Sequence, residues 1–302
     1  MKKDVYAVLL AGGKGTRLWP LSTSAHSKSF IRIGNEKPLL AQAIARLRGL
    51  IDKRNIIIVV DRAQEKLLRR FAKGIPKRNI LVEPFGRSTA SAVGLAAIGL
   101  DPYDIMVVLP TDSVIRETGN FKKAVKAAID FAREKEEALL CVGIKPRRAT
   151  AAYGYIKIKS ARRSMVYAVD RFIEKPKARR AAALVKKPNY LWNAGMFVFK
   201  AKDILEAMRI YAPILYRELL RIKRHKRDKA SAYRRMKNVS IDYQIMEKAK
   251  NLYCVKGNFS WRDLGSWVSL EGLFKKDKKG NIRFGKATLV DTHDSIVYNS
   301  QK

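Results

Sequence analysis

Val5-Tyr6-Ala7-Val8-Leu9-Leu10-Ala11-Gly12-Gly13-Lys14-Gly15-Thr16-Arg17-Leu18-Trp19-Pro20 begins as an apolar run and stops at three glycines within four residues. The run from Val5 to Ala11 reads as a buried strand. Glycine lets the backbone behind it turn sharply and present N–H groups with no Cβ in the way. A nest of such groups after a strand cradles an anion, and Lys14 and Arg17 add positive charge beside it. The loop suits the phosphates of a nucleotide. It is not a Walker loop, because Lys14 precedes Thr16 with the wrong spacing. It is not the dinucleotide fingerprint either, because Leu18 stands where a third glycine belongs and no acidic residue closes a second strand about 20 residues later.

Strand-like and helix-like stretches alternate downstream of this loop. Ile56–Val60, Ile80–Val82, Ile105–Leu109 and Leu139–Val142 read as fully buried parallel strands. Between them Leu39–Leu50, Gln64–Ala72, Thr89–Gly99 and Phe121–Lys135 have helical period, with Asn120 as the N-cap of the last. The pattern predicts a Rossmann-like, doubly wound, mostly parallel α/β sheet, whose ligands bind at the carboxyl ends of the strands. The glycine loop, Glu83-Pro84 and Pro110-Thr111-Asp112 all fall at such ends. Later, Tyr155–Lys159 pairs with Met165–Glu174, Trp192–Lys200 is another strand, and Ala201 to about Ala232 is a long helical region. Ser240–Lys248 is a short helix. The expected division is a domain over 1–281 and a short β tail over 282–302.

Composition bounds the function. The 302 residues are 47% hydrophobic, enough for a substantial core and against disorder. No apolar run approaches the ~20 residues of a membrane span, and Lys2-Lys3 with the following run lacks a cleavage site. Cys141 and Cys254 stand far apart in sequence without metal-ligand spacing, which suits a reducing cytoplasm. The net charge of +36 attracts nucleotides and sugar phosphates, and also nucleic acid. Its densest cluster, Arg217 to Lys237, lacks interleaved aromatics and reads as a solvated helical face rather than a base-stacking platform.

Six segments in order carry a resemblance. They are the glycine loop, Glu83-Pro84-Phe85-Gly86-Arg87-Ser88-Thr89-Ala90, and Leu109-Pro110-Thr111-Asp112. The fourth is Tyr153-Gly154-Tyr155-Ile156 with Phe172-Ile173-Glu174-Lys175-Pro176, and the fifth is Trp192-Asn193-Ala194-Gly195-Met196-Phe197. The sixth is Ser240-Ile241-Asp242-Tyr243 with Trp261-Arg262-Asp263-Leu264-Gly265-Ser266-Trp267. Together they resemble the sugar nucleotidylyltransferases, in the mannose-1-phosphate guanylyltransferase branch. The resemblance implies GTP plus mannose 1-phosphate giving GDP-mannose plus pyrophosphate, with Mg²⁺ and no covalent intermediate. The difficulty of that reaction is that one phosphate must attack another. Two unit charges 4 Å apart repel by roughly 4 kcal/mol at an effective dielectric of 20.

By resemblance the nucleotide lies against Leu10, Gly12, Gly13, Gly15, Thr16 and Arg17, against Glu83, Arg87, Ser88 and Thr89, and against Pro110 and Asp112. Arg17 and Lys28 neutralise the departing pyrophosphate, and Asp112 and Asp263 hold the Mg²⁺. Lys175 binds the sugar phosphate, while Gly154, Glu174 and Asn193 accommodate the sugar. Adjacent Glu174 and Lys175 point to opposite faces of a strand, so both reach a ligand only if the strand ends there. Asp242 is either a partner of these residues or a carboxylate favoured by an early-helix position.

Five positions depart from the family. Ser27-Lys28-Ser29-Phe30 stands for Pro-Lys-Gln-Phe, which predicts a looser loop. Ser88 stands for asparagine, Ser91 for proline and Ser113 for histidine, which predicts looser guanine selectivity, with Ser88 still capping its helix. The chain as given leaves room for roughly one coil of the left-handed β-helix that such enzymes carry, so neither an isomerase domain nor the usual β-helix subunit contacts are expected, and a homodimer stays open. Two alternatives remain. One is the same chemistry with UTP or dTTP and glucose 1-phosphate. The other is a catalytically silent relative, RNA-associated or an assembly subunit.

Overall fold

The structure is a computed structural model that describes residues 3–13, 15–23, 27–32, 37–159 and 165–299. Lys14 and the end of the tail from residue 300 lie outside the described residues. Parallel pairing organises the first half of the chain. Strands β1 (Val5–Leu10), β2 (Ile56–Asp61), β3 (Ile80–Glu83) and β4 (Ile105–Pro110) lie in the order β3-β2-β1-β4. Leu10 is in register with both Val59 and Pro110, and Asp61 with Glu83, so the carboxyl ends share one edge.

Helices α1 (Leu39–Arg46), α2 (Glu65–Leu68) and α3 (Ser88–Ala97) connect these strands. Ile56, Ile58 and Val60 are buried together with Leu40 of α1 and Leu68 of α2. Ile57 and Val59 are buried on the other face with Ala90 to Ala97 of α3. Alternate residues of one strand thus feed two cores, which is why its sequence is apolar throughout.

The chain continues through β5 (Ser113–Ile115), α4 (Thr118–Glu134), β6 (Leu139–Ile144), β7 (Tyr155–Ile158) and β8 (Val166–Ile173). Next come α5 (Ala178–Val185), β9 (Tyr190–Lys200), α6 (Ala201–Tyr211), α7 (Pro213–Arg224) and α8 (Lys229–Arg235). It ends through β10 (Leu252–Gly257), β11 (Trp261–Asp263), α9 (Trp267–Leu270), β12 (Ile282–Phe284) and β13 (Ile296–Tyr298). Among the described residues the main sheet has nine strands in the order β3-β2-β1-β4-β9-β6-β10-β8-β7.

Strand β9 runs antiparallel to both β4 and β6, so the expectation of uniformly parallel neighbours for Leu139–Val142 is corrected: β6 is parallel only to β10. β9 also bends. Phe197–Lys200 pairs with β4, and Tyr190–Trp192 pairs with β7. Gly195 at φ +67° and a register shift between Cys141 and Gly143 on β6 take up the change between them. Cys141 and Cys254, distant in sequence, are register partners on β6 and β10, and both are free buried thiols.

Further corrections are local. Asn120 lies inside α4 rather than capping it, and its amide donates to the Asn258 carbonyl. Ser88 makes no side-chain cap. It is the first residue of α3, at φ +70°, and its carbonyl accepts from the Ser91 hydroxyl. The predicted helical run from Ala201 breaks at Ala212-Pro213, where Pro213 starts α7, and again at His225. Gln64–Ala72 holds only the single turn of α2. Asp242–Met246 forms a π-turn instead of an α-helix. In the tail β12 and β13 pair in parallel, and Tyr298 packs on Trp267 at 5.7 Å between ring centroids.

Candidate active site

Two cavities open at the carboxyl edge of the sheet. The first, about 380 Å³, lies over the ends of β1 to β3 and is lined by Leu10, Gly12, Gly13, Asp61, Glu83, Ser88 and Thr89. The Gly13 N–H donates to Asp61 Oδ2 at 3.2 Å, so the loop is fastened to the end of β2. Asp61 Oδ1 is buried with no partner among the described residues. Burial, then the Asp61 charge, pushes the Glu83 carboxyl up to about 7. The Ser91 hydroxyl donates to Glu83 Oε1 at 3.4 Å. Thr89 Oγ1 accepts from the Ile241 N–H at 3.0 Å, which ties α3 to the π-turn.

The second cavity, about 250 Å³, is lined by Arg17, Asp112, Gly154, Glu174, Lys175, Asn193, Asp242 and Asp263 among others. β8 ends at Ile173 and Lys175 adopts φ +44°, so Glu174 and Lys175 both face the cavity, 3.4 Å apart, as a strand end requires. The Glu174 backbone N–H donates to Glu247 at 2.7 Å. Glu174 Oε2 is buried without a protein partner among the described residues, and burial, then Asp242, raises this carboxyl to about 7. A Cβ at Gly154 would overlap Glu174 Oε2, so the glycine makes room for this carboxylate. The Asn193 amide donates to Asp242 at 2.7 Å, and its oxygen accepts from the Gly195 N–H at 3.0 Å. Deep burial drives the Asp242 carboxyl upward.

Asp112 and Asp263 meet on a small ribbon beside the main sheet. β11 pairs antiparallel with β5, with Asp263 opposite Ser113, and the Leu264 N–H donates to the Asp112 carbonyl at 3.1 Å. Burial, then the nearby Asp112 charge, raises Asp263 to about 7. Beneath the ribbon the buried Arg46 reaches the Ser113 carbonyl at 3.5 Å, and burial lowers its guanidinium to about 10. Lys28 Nζ sits 3.7 Å from Asp112. Gly15, at φ +61°, permits this: a Cβ there would come within 2.6 Å of Lys28 Cγ.

The structure therefore brings Arg17, Asp112 and Asp263 together in the wall of the second cavity, with Lys28 against Asp112. The looser loop predicted around Lys28 is instead tethered: Ser29 Oγ lies 2.7 Å from Thr111 Oγ1, and the Ser27 N–H donates to Gln64 at 3.2 Å. Pro110 lines the second cavity and not the first. Arg87 is engaged elsewhere. Its guanidinium donates to the Tyr233 carbonyl at 2.9 Å and the Arg234 carbonyl at 3.3 Å, at the end of α8, and packs over Phe85. Thr16 opens a 3₁₀ turn, and its side chain lies outside the described set. Asp61, Tyr153, Arg148 and Trp261 line the cavities without having been singled out as site residues. Tyr153 and Trp261 stand in segments that carry the resemblance, and Asp61 is an acid closing a buried strand.

The basic cluster around α7 and α8 is partly self-neutralised. Arg221 pairs with Asp228 at 2.8 Å, and Arg235 with the buried Glu218 at 2.8 Å.

Comparison with known proteins shows the family of the chain. The Nucleotidyl transferase family profile matches residues 6–280. A mannose-1-phosphate guanylyltransferase of Escherichia coli is 32% identical over 99% of the chain, and one of Salmonella muenchen is 33% identical over 97%. The chain spans 68% and 64% of those two curated relatives' lengths. The crystal structure of a Thermus thermophilus protein, described as a mannose-1-phosphate geranyltransferase, superposes with a TM-score of 0.86 at 31% identity. That match covers 98% of this chain and 89% of that one. Fold, site and relatives together place the chain in the nucleotidyl transferase family, among the mannose-1-phosphate guanylyltransferases.

Proposed function

We propose that the chain transfers GMP from GTP to mannose 1-phosphate, giving GDP-mannose and pyrophosphate. The observation that carries this reading is the meeting of Arg17, Asp112 and Asp263 in the wall of the second cavity, with Lys28 against Asp112, on the same sheet edge as a first cavity of different chemistry. One cavity is glycine-rich and acidic at its end, suited to a purine with amide-like donors. The other carries the Lys175 ammonium beside Glu174, Asn193 and Asp242, suited to a phosphorylated sugar.

A phosphate oxygen of the sugar phosphate attacks the α-phosphorus, the bond to the β-phosphate oxygen breaks, and pyrophosphate leaves with that electron pair. Lys175 holds the attacking phosphate, while Arg17 and Lys28 take up charge on the leaving side. Asn193, buttressed by Asp242, orients the sugar hydroxyls, and both cavities fix the in-line approach.

Asp112 and Asp263 would hold a divalent cation. Two carboxylates near enough for the Asp112 charge to raise Asp263 suit a hard cation, and a Cβ at Gly265 would crowd Asp263 Oδ2 at 2.9 Å. Such a cation, Mg²⁺ in this reading, supplies charge neutralisation on the reacting phosphates. The reaction belongs to a cytoplasmic setting, in keeping with two free thiols. The tail from Ile282 forms in this reading the start of a β-helix coil, attached to the domain over 1–281.

The test is pyrophosphate release with mannose 1-phosphate and Mg²⁺, comparing GTP, ATP, UTP and dTTP, beside Asp112→Ala and Asp263→Ala. Release with GTP that is lost in both variants is expected. Preference for UTP or dTTP would overturn the guanine assignment, and folded protein inert with every triphosphate would overturn catalysis.

A further inference from the structure

The first cavity is framed by two glycine loops, one after β1 and one after β3, with the end of β2 between them. Gly12 and Gly13 belong to the first loop and Gly86 to the second, and all three are exposed. Gly13 stands at φ +110°, a conformation that other residues rarely adopt. Glycine backbone is also the freest in a chain, so such loops surrender the most conformational entropy when a ligand orders them. A nucleotide binds them tightly only if the protein already holds them in place.

Asp61, the last residue of β2, reaches both loops. Its Oδ2 accepts a charge-assisted hydrogen bond from the Gly13 N–H at 3.2 Å. A Cβ added at Gly86 would stand 3.2 Å from Oδ1, and one added at Gly12 would stand 3.7 Å from it. That oxygen is buried, with no hydrogen-bond partner among the described residues, and the atoms of both loops lie against it. Asp61 is also the register partner of Glu83 at the end of β3, and Glu83 Oε2 lies at the same 3.7 Å from the Gly12 Cβ position. One side chain on the middle strand thus meets the loop of each neighbour. With one oxygen bonded to Gly13 and the other closed in, it acts on a ligand through the loops.

We infer that Asp61 is a positioning residue for nucleotide binding: its carboxylate clasps Gly13 and packs against Gly86, so that both glycine loops stand ready-formed around the first cavity. The inference rests on the assignment of that cavity to the nucleotide. Asparagine is the informative substitute. It keeps the shape and an oxygen that accepts from the Gly13 N–H, whereas alanine removes both. Clasping of the loops therefore survives Asp61→Asn and is lost in Asp61→Ala. A role that needs the negative charge is lost in both.

The experiment compares wild type, Asp61→Asn and Asp61→Ala as full chains. Amide hydrogen exchange of the ligand-free protein reads the loops directly. Exchange over Gly12-Gly13 and over Gly86 is expected to be at least about threefold faster in Asp61→Ala and close to wild type in Asp61→Asn. Protection of the β1 amides shows that each variant is folded, and Asp61 is only half-buried, so its truncation opens no closed void. Calorimetric titration with GTP and Mg²⁺, without a sugar phosphate so that nothing turns over, reads the consequence. Asp61→Ala should weaken GTP at least about tenfold and Asp61→Asn less than about threefold. The KM for mannose 1-phosphate should stay within about twofold of wild type in both. Loop exchange indifferent to Asp61→Ala would overturn the clasp, and so would an Asp61→Asn as defective as Asp61→Ala. Loosened loops with GTP affinity intact would overturn the positioning role. Wild type that binds no triphosphate would overturn the nucleotide assignment of the cavity, while the exchange rates, which need no nucleotide, still confirm or refute the clasp.

Discussion

Lys28 Nζ lies 3.7 Å from the Asp112 carboxylate, with the lysine side chain 11% exposed and the aspartate 34%. A cation from one loop thus sits against one member of the carboxylate pair that the β5–β11 ribbon brings together. Truncating it removes positive charge where negative charge must gather. Lys28→Ala is expected to lower kcat by about 10²-fold or more with little change in melting temperature. Steady-state pyrophosphate release beside a thermal melt checks this, and a near-normal kcat would remove Lys28 from the machinery.

Gly154 gives the sharpest steric test. Its Cβ position is filled by Glu174 Oε2, with Asn193 Cβ at 3.2 Å. Gly154→Ala displaces two groups of the sugar side and leaves the first cavity untouched. The KM for mannose 1-phosphate is expected to rise roughly tenfold, with the KM for GTP within about twofold. Equal changes in both constants would contradict the division of labour between the cavities.

Two buried carboxyls contribute to a pH dependence of stability that Asp263, raised to about 7, and Asp203, raised to about 6, share. Glu83 and Glu174 both titrate near 7 in the folded chain, raised first by burial and then by Asp61 and Asp242 respectively. In the unfolded chain they titrate near 4.3. The folded state binds these protons more tightly, so their stabilisation is complete below the unfolded value and disappears as pH rises through about 7. Ligand-free protein should lose up to about 1.4 kcal/mol per pH unit per carboxyl across that window. Glu136, held at about 2 by hydrogen bonds from Lys200 and Lys202, titrates outside it. Chemical denaturation between pH 5 and 8 tests the slope, which Glu83→Gln with Glu174→Gln should make shallower while Asp263 and Asp203 keep the remainder.

Lys200 ends β9 fully buried, with its ammonium 2.7 Å from Glu136 and 3.3 Å from the Lys135 carbonyl. It stands at the opposite end of the strand from Asn193, so it bears on stability alone. Lys200→Ala leaves a void and should lower the melting temperature by roughly 5–10 °C. Lys200→Met fills the space without a charge and should stay within about 3 °C. A thermal melt of each, with kcat unchanged, is the measurement.

The parts legible in the sequence are those set by local patterning. Apolar runs broken by glycine announced the parallel half, and Pro176 announced the strand end that turns Glu174 and Lys175 into one cavity. The direction of β9 was not legible. Its residues are buried on both faces whichever way it runs, and burial carries no polarity. Nothing near Arg87 in sequence reveals the α8 carbonyls to which its guanidinium donates, the first of them 146 residues away. Asp61 went unassigned for a related reason: its partner is the Gly13 N–H on another strand's loop. The break at Ala212 did have a local cause in Pro213, which alone sufficed to divide the long helical run.

The ribbon of β5 and β11 also sets the order in which the molecule becomes competent during its own synthesis. A nascent chain that has emerged through β4 already owns the glycine loop and strands β1 to β4, while the cores around them still wait for α4 and for α6 to α8. It still lacks β9, which separates β4 from β6, and β11, which brings Asp263 opposite Ser113. The ribosome must therefore have translated past residue 263 before the second carboxylate exists. A product terminated before β11 would therefore lack the Asp112–Asp263 pair whatever part of the sheet it had formed.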